Sequence, residues 1–147
     1  MAKYYKKNQP TALELVILGI GKALWWLLTL PFKKRRKFGL SGEDKSYIIK
    51  KRLEIEQLLK SNSIIELKHA VLEADKLVDF ILKKKGYRGE AFANRLRAAE
   101  KYIEPDVYDR IWQGHKIRNQ IVHDSGNIDR NILISAVKKL LSYLYYE

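Results

Sequence analysis

Residues 11–32, TALELVILGIGKALWWLLTLPF, leave a chain few options, because only Thr11, Glu14, Lys22 and Thr29 among these 22 residues are clearly polar. As a helix the run would be roughly 33 Å long, enough to cross the ~30 Å hydrocarbon core of a bilayer. Thr11 and Glu14 have capping-box spacing, and Pro10 stands just before them. Lys22 falls in mid-run, where a lysine costs about 2.5–3.5 kcal/mol. Eleven Leu, Ile, Val and Phe residues, at roughly −0.3 to −0.6 kcal/mol each, outweigh it. Lys33, Lys34, Arg35, Arg36 and Lys37 follow at once, against Lys3, Lys6 and Lys7 before the run. Flanks rich in Lys and Arg stay cytoplasmic, so a single-pass anchor is expected with the C-terminal part in the cytoplasm. The five-residue basic cluster would then lie at the anionic lipid face of the membrane. The run ends in Pro31-Phe32 with no small-residue cleavage site, which argues for an anchor that is retained. Two other readings stay open, a helix lying in the interface and a buried core helix.

Charge divides the chain in the same place. Of a net +12 over 147 residues, residues 1–60 carry fourteen Lys/Arg against five Asp/Glu, and residues 61–147 carry fifteen against twelve. The basic excess therefore belongs to the N-terminal part, which fits a membrane surface better than a broad nucleic-acid groove. With no cysteine there is no disulfide, zinc-thiolate site, iron–sulfur cluster or thiol nucleophile. At 46% apolar residues the chain has ample material for a packed core.

The organisation expected is a basic tail at 1–10, the anchor helix at 11–32, a basic juxtamembrane linker at 33–42 and a helical domain at 43–147. Ser41 and Asp44 can cap a helix over about 43–60, with Ile48, Ile55 and Leu59 on its apolar side. Ser63 and Glu66 can cap the next, whose apolar line is Leu67, Ala70/Val71, Ala74, Leu77/Val78 and Ile81. Lys83, Lys84, Lys85 and Gly86 mark its end. A shorter helix over about 90–103 would bury Phe92, Leu96 and Ala99/Ile103. Pro105 then opens a helix to about 123 with Val107, Ile111, Gly114 and Ile117/Ile121 inward. The last, about 128–146, carries Ile132/Leu133, Ala136/Val137, Leu140 and Leu144. No run alternates with period two, so the fold class expected is all-α, an antiparallel bundle of five helices behind one hydrophobic helix.

One constellation could carry chemistry. Arg118-Asn119-x-x-x-His123 closes the helix before the last. This resembles the signature of the HEPN-domain family, small antiparallel helical bundles, often dimeric, many of which carry R-x4–6-H, frequently as R-N-x-x-x-H, at that place. The resemblance covers roughly residues 43–147, and the long helix with Glu73-Ala74-Asp75-Lys76 also looks right for the family. It implies RNA binding, or metal-independent RNA cleavage in which the 2′-hydroxyl attacks the neighbouring phosphate, in a cleft built from two subunits. The residue types suit that chemistry: histidine exchanges protons near neutral pH, so His123 would serve as general base or acid. Arg118 would hold the phosphate through its planar fork, and Asn119 would orient the two.

On a helix His115, Asn119 and His123 share one stripe, with Asn119 able to bond either histidine. Arg118 and His123 lie about 140° apart, so they converge only if the arginine reaches round or the last turn loosens. His115, Glu73 and Asp75 are candidate supporting residues, although Glu73 and Asp75, two apart, fall on different faces. His115 and His123 would be roughly 12 Å apart along the axis, too far to share an ion, and no metal or cofactor is expected. No phosphate-loop, dinucleotide or H-E-x-x-H motif is present. Tyr143, Tyr145 and Tyr146 could stack on bases or seal a core or dimer interface. The rival function is a non-catalytic module that dimerises or docks a partner protein at the membrane, with Arg118, Asn119 and His123 tying down a helix end.

Overall fold

A computed structural model describes residues 39–123 and 126–145. The tail, the anchor run, Lys33–Lys37 and Tyr146 lie outside the described residues. Among the described residues the protein is all-helical with no strand, and no helix there is long and apolar enough to cross a membrane.

Helix α1, Gly42–Leu58, starts where the sequence marks it. The Asp44 amide donates to Ser41 Oγ at 3.1 Å and the Ser41 amide donates back to Asp44 Oδ2 at 3.0 Å, a complete capping box. Helix α2, Ile64–Lys84, has half of one, the Glu66 amide donating to Ser63 Oγ at 3.4 Å. Its far end is a Schellman motif: Gly86 takes φ +83°, the Tyr87 amide reaches Leu82 O and the Gly86 amide reaches Lys83 O. Helix α3, Phe92–Ala99, is shorter than the expected 90–103, because the chain tightens into a 3-10 turn at Glu100–Tyr102. Helix α4, Pro105–His123, has the bounds read from the sequence. Helix α5, Arg130–Leu141, gives way to a 3-10 turn at Ser142–Tyr145, so the expected 128–146 helix is shorter at both ends. At its start the Asp129 carboxylate accepts from the Asn131 amide at 2.7 Å, which fixes the first turn after Ile128.

Helix α2 is the hub, packing against α1, α3, α4 and α5, while α4 also packs along α5. Nine of its residues are buried, including the whole apolar line named above. Ile55 of α1, Phe92, Leu96 and Ala99 of α3, Val107 and Ile111 of α4, Leu133, Ala136, Val137, Leu140 and Leu141 of α5, and Ile128 and Tyr143 on either side of it complete the core. Ile132 departs from expectation at 46% exposed, because its neighbour Leu133 takes the inward position on that turn. Gly114 allows α4 and α5 to approach closely, since a Cβ there would sit 2.5 Å from Leu140 Cγ and 3.0 Å from Ala136 O.

Candidate functional site

Asp75 lies midway along α2 on the turn that faces α4, and its side chain is buried. Helix α4 presents His115 and Arg118 to it, three residues apart and therefore on one face. His115 Nδ1 is 2.7 Å from Asp75 Oδ1, and Arg118 Nε is 3.5 Å from Asp75 Oδ2, so one carboxylate engages both. The His115 ring is itself buried. It stacks on Phe92 of α3, with centroids 4.2 Å apart and planes at 13°, and meets the edge of Trp112 at 6.0 Å. Arg118 turns its Nη1 to the Asn119 side-chain oxygen at 3.0 Å. Its side chain is 35% exposed, so its other N–H donors can reach an anion from solvent.

Asp79, one turn further along α2, forms a second pair of the same kind. Arg95 of α3 grips it in two-point fashion at 2.6 and 2.9 Å, donates its third nitrogen to Gly89 O at 2.5 Å, and Lys83 adds a contact at 2.9 Å. Burial pushes the Asp79 carboxyl up, but the hydrogen bonds from Arg95 and Lys83 together outweigh it and hold the group below its ordinary value. The pairing of Asp79 with Arg95 escaped the sequence reading. Its signal is there, since Asp75 and Asp79 stand at i and i+4 among the apolar residues of α2, where a carboxylate must be paired to be buried.

The structure divides the remaining candidates. Glu73 faces away from this cluster, as the two-residue spacing implies, and bridges Lys76 at 2.8 Å, Lys51 of α1 at 3.5 Å and His69 at 3.7 Å. The hydrogen bond from Lys76 leads the effects that hold its carboxyl low, against the opposing effect of burial. His115 is not shared with Asn119, because Asp75 holds the ring and Arg118 holds the amide. His123 is the last residue of α4, exposed, and meets no partner among the described residues. The helix remains α-helical to that point, so the last turn does not loosen, and Arg118 and His123 stay about 140° apart around the axis. One copy of the motif does not gather its own arginine and histidine. Tyr143 is buried, whereas Tyr145 is exposed and carries the Arg52 guanidinium 4.7 Å above its ring. Among the described residues no three His, Asp or Glu side chains converge as a metal site.

Chemically, this is a half-open arginine braced by a buried carboxylate, on a helix whose end bears an exposed imidazole. Such an arrangement can bind an anion at Arg118 and move a proton at His123, provided the two come together from different copies. No family model matches the chain, and no curated protein or solved structure matches it significantly.

Proposed function

We propose that residues 43–147 form a HEPN-like antiparallel bundle, tethered to the membrane by residues 11–32 with the bundle in the cytoplasm, that binds RNA and cleaves it without a metal. The observation that carries this reading is the bracing of Arg118: Asp75 from α2 and Asn119 from the same turn hold a guanidinium that keeps donors open to solvent. A phosphate is the anion that best fits such a planar fork.

In the reaction, an imidazole takes the proton from the RNA 2′-hydroxyl as its oxygen attacks the adjacent phosphorus. The bond to the 5′-oxygen breaks, that oxygen receives a proton, and a 2′,3′-cyclic phosphate and a 5′-hydroxyl remain. Arg118 neutralises the charge that grows on the phosphoryl oxygens. Because Arg118 and His123 diverge on one helix, the working cleft is that of a homodimer, in which His123 of one copy stands by Arg118 of the other.

The test is cleavage of a mixed RNA by the full chain in mild detergent and excess chelator. Wild type is expected to leave cyclic phosphate ends, and Arg118→Ala and His123→Ala each to lose cleavage while remaining folded. Inactivity of a folded, dimeric wild type would refute the cleavage reading. It would favour the second reading, a non-catalytic module that dimerises or docks a partner protein. One observation supports that alternative: His115, packed between Phe92 and Asp75, has the surroundings of a side chain that holds three helices together.

A further inference from the structure

Helix α1 has little to do with the Asp75 cluster, yet one side of it is unusual for a solvated surface. A groove of about 500 Å³ runs along it, its apolar lining including Leu40, Ile48, Ile81 and Leu144. Lys45, Arg52 and Lys85 line the same groove, and among the described residues no carboxylate does. Two large aliphatic side chains, Ile49 and Leu53, stand one turn apart on α1 at 61% and 55% exposure. Arg52 joins this groove to a second one through the Tyr145 ring, and Arg110, Lys138 and Lys139 line that neighbour, with no carboxylate among its described lining residues. Cations therefore outnumber carboxylates along this strip among the described residues, and Glu56, paired to Arg52 at 2.7 Å, is one acidic group in contact with it.

We infer that this α1 face is a lipid-docking surface, on which the folded domain rests against an anionic phospholipid headgroup layer. Exposed aliphatic side chains set among cations match the boundary between acyl chains and phosphates, where apolar stems sink and charged ends stay at headgroup level. Pairing with a second copy through a two-fold axis would set the same cations against themselves. A single-stranded RNA would seek open aromatic faces, whereas Arg52 already covers that of Tyr145. Leu40, which lines the groove, follows the basic cluster 33–37 by three residues in the sequence, so that cluster and the groove's cations are close along the chain. The inference rests on the tether proposed above.

The chain has no cysteine, so single labels are clean. An environment-sensitive fluorophore is placed on full-length Leu53→Cys and, as a control in the exposed 3-10 turn after α3, on Glu100→Cys. Each is reconstituted in vesicles of phosphatidylcholine alone or of equal parts phosphatidylcholine and phosphatidylglycerol. The expected result is a blue shift, with quenching by a lipid-borne quencher, for Leu53→Cys in the anionic vesicles and no shift for Glu100→Cys. Adding Lys45→Gln should weaken docking about fivefold, and raising the salt should weaken it too, while helical content is unchanged. Ile49→Asp is the second variant, and it removes the apolar contact without touching the core.

Equal responses at both labels, or an equal shift on neutral vesicles, would overturn the inference. So would a Leu53→Cys response to single-stranded RNA in place of vesicles, or one that rises with protein density on neutral vesicles, which would signal a second copy. A chain that floats with the vesicles while the Leu53→Cys label stays unshifted would refute the docking surface alone. A chain that does not float would refute the tether with it.

Discussion

Replacing Asp75 tests whether the cluster at the α2–α4 contact holds the domain together or serves only the motif. Asp75→Ala leaves the buried His115 Nδ1 with no acceptor at the place where Oδ1 stood 2.7 Å away. An orphaned buried donor costs about 1–3 kcal/mol. The Arg118 contact adds little, since it is 3.5 Å long and its arginine is 35% exposed, so screening leaves about 0–1 kcal/mol. The expected loss is about 2–3 kcal/mol, which in a domain of this size lowers the melting temperature by roughly 10–20 °C. Asp75→Asn keeps an oxygen for the imidazole N–H and should lose about half as much or less. In urea denaturation followed by circular dichroism, Asp75→Ala and His115→Ala should couple by about 1–2 kcal/mol, the double variant losing less than the two singles combined. Strict additivity, or an Asp75→Ala protein within about 0.5 kcal/mol of wild type, would refute the view that this pair packs as a unit.

Gly114→Ala should destabilise despite improving helix propensity. The propensity gain is about 1 kcal/mol, but a Cβ 2.5 Å from Leu140 Cγ and 3.0 Å from a backbone oxygen of α5 forces the helices apart at an overpacking cost of about 1–3 kcal/mol. A raised melting temperature would show that α4 and α5 can yield there. Acid should unfold the domain through its paired carboxylates. The hydrogen bond from Lys84, with those from Ser41, holds Asp44 down from 3.8 to about 2, and Glu73 and Asp79 are also held low. Groups whose folded pKa lies below the unfolded one contribute stability above the unfolded value and lose it as pH falls through the folded one. Melting temperature should therefore decline between about pH 4 and pH 2, and less steeply in Asp79→Asn; an unchanged slope in that variant would exclude Asp79 as a contributor.

Local rules made much of the helical domain legible. Capping pairs, a glycine after a lysine run and a proline at a first turn act within four or five residues, so Ser41, Gly86 and Pro105 mark helix ends whatever surrounds them. The apolar line of α2 was readable for the same reason, because a period of 3.6 residues is a property of the segment alone. The short α3 and the 3-10 ending of α5 were less legible, since those ends are set by how the chain meets its neighbours rather than by a strong local stop.

The candidate site divides along the same line. That Arg118 and His123 diverge, and that Glu73 and Asp75 take different faces, follows from helix geometry and could be computed before any fold was known. Which partner each side chain takes is a different matter. His115 could turn to Asn119 on its own helix or to a carboxylate forty residues away, and only the packing of α2 on α4 selects Asp75. The Arg95 grip on Asp79 and the cations gathered along α1 likewise exist only once separate helices are side by side. Sequence determines the periodicity, the caps and the inventory of charges, because these depend on neighbours a few residues away. Tertiary structure decides which charges are buried together and which face a common surface, because those depend on distances that no spacing along the chain encodes.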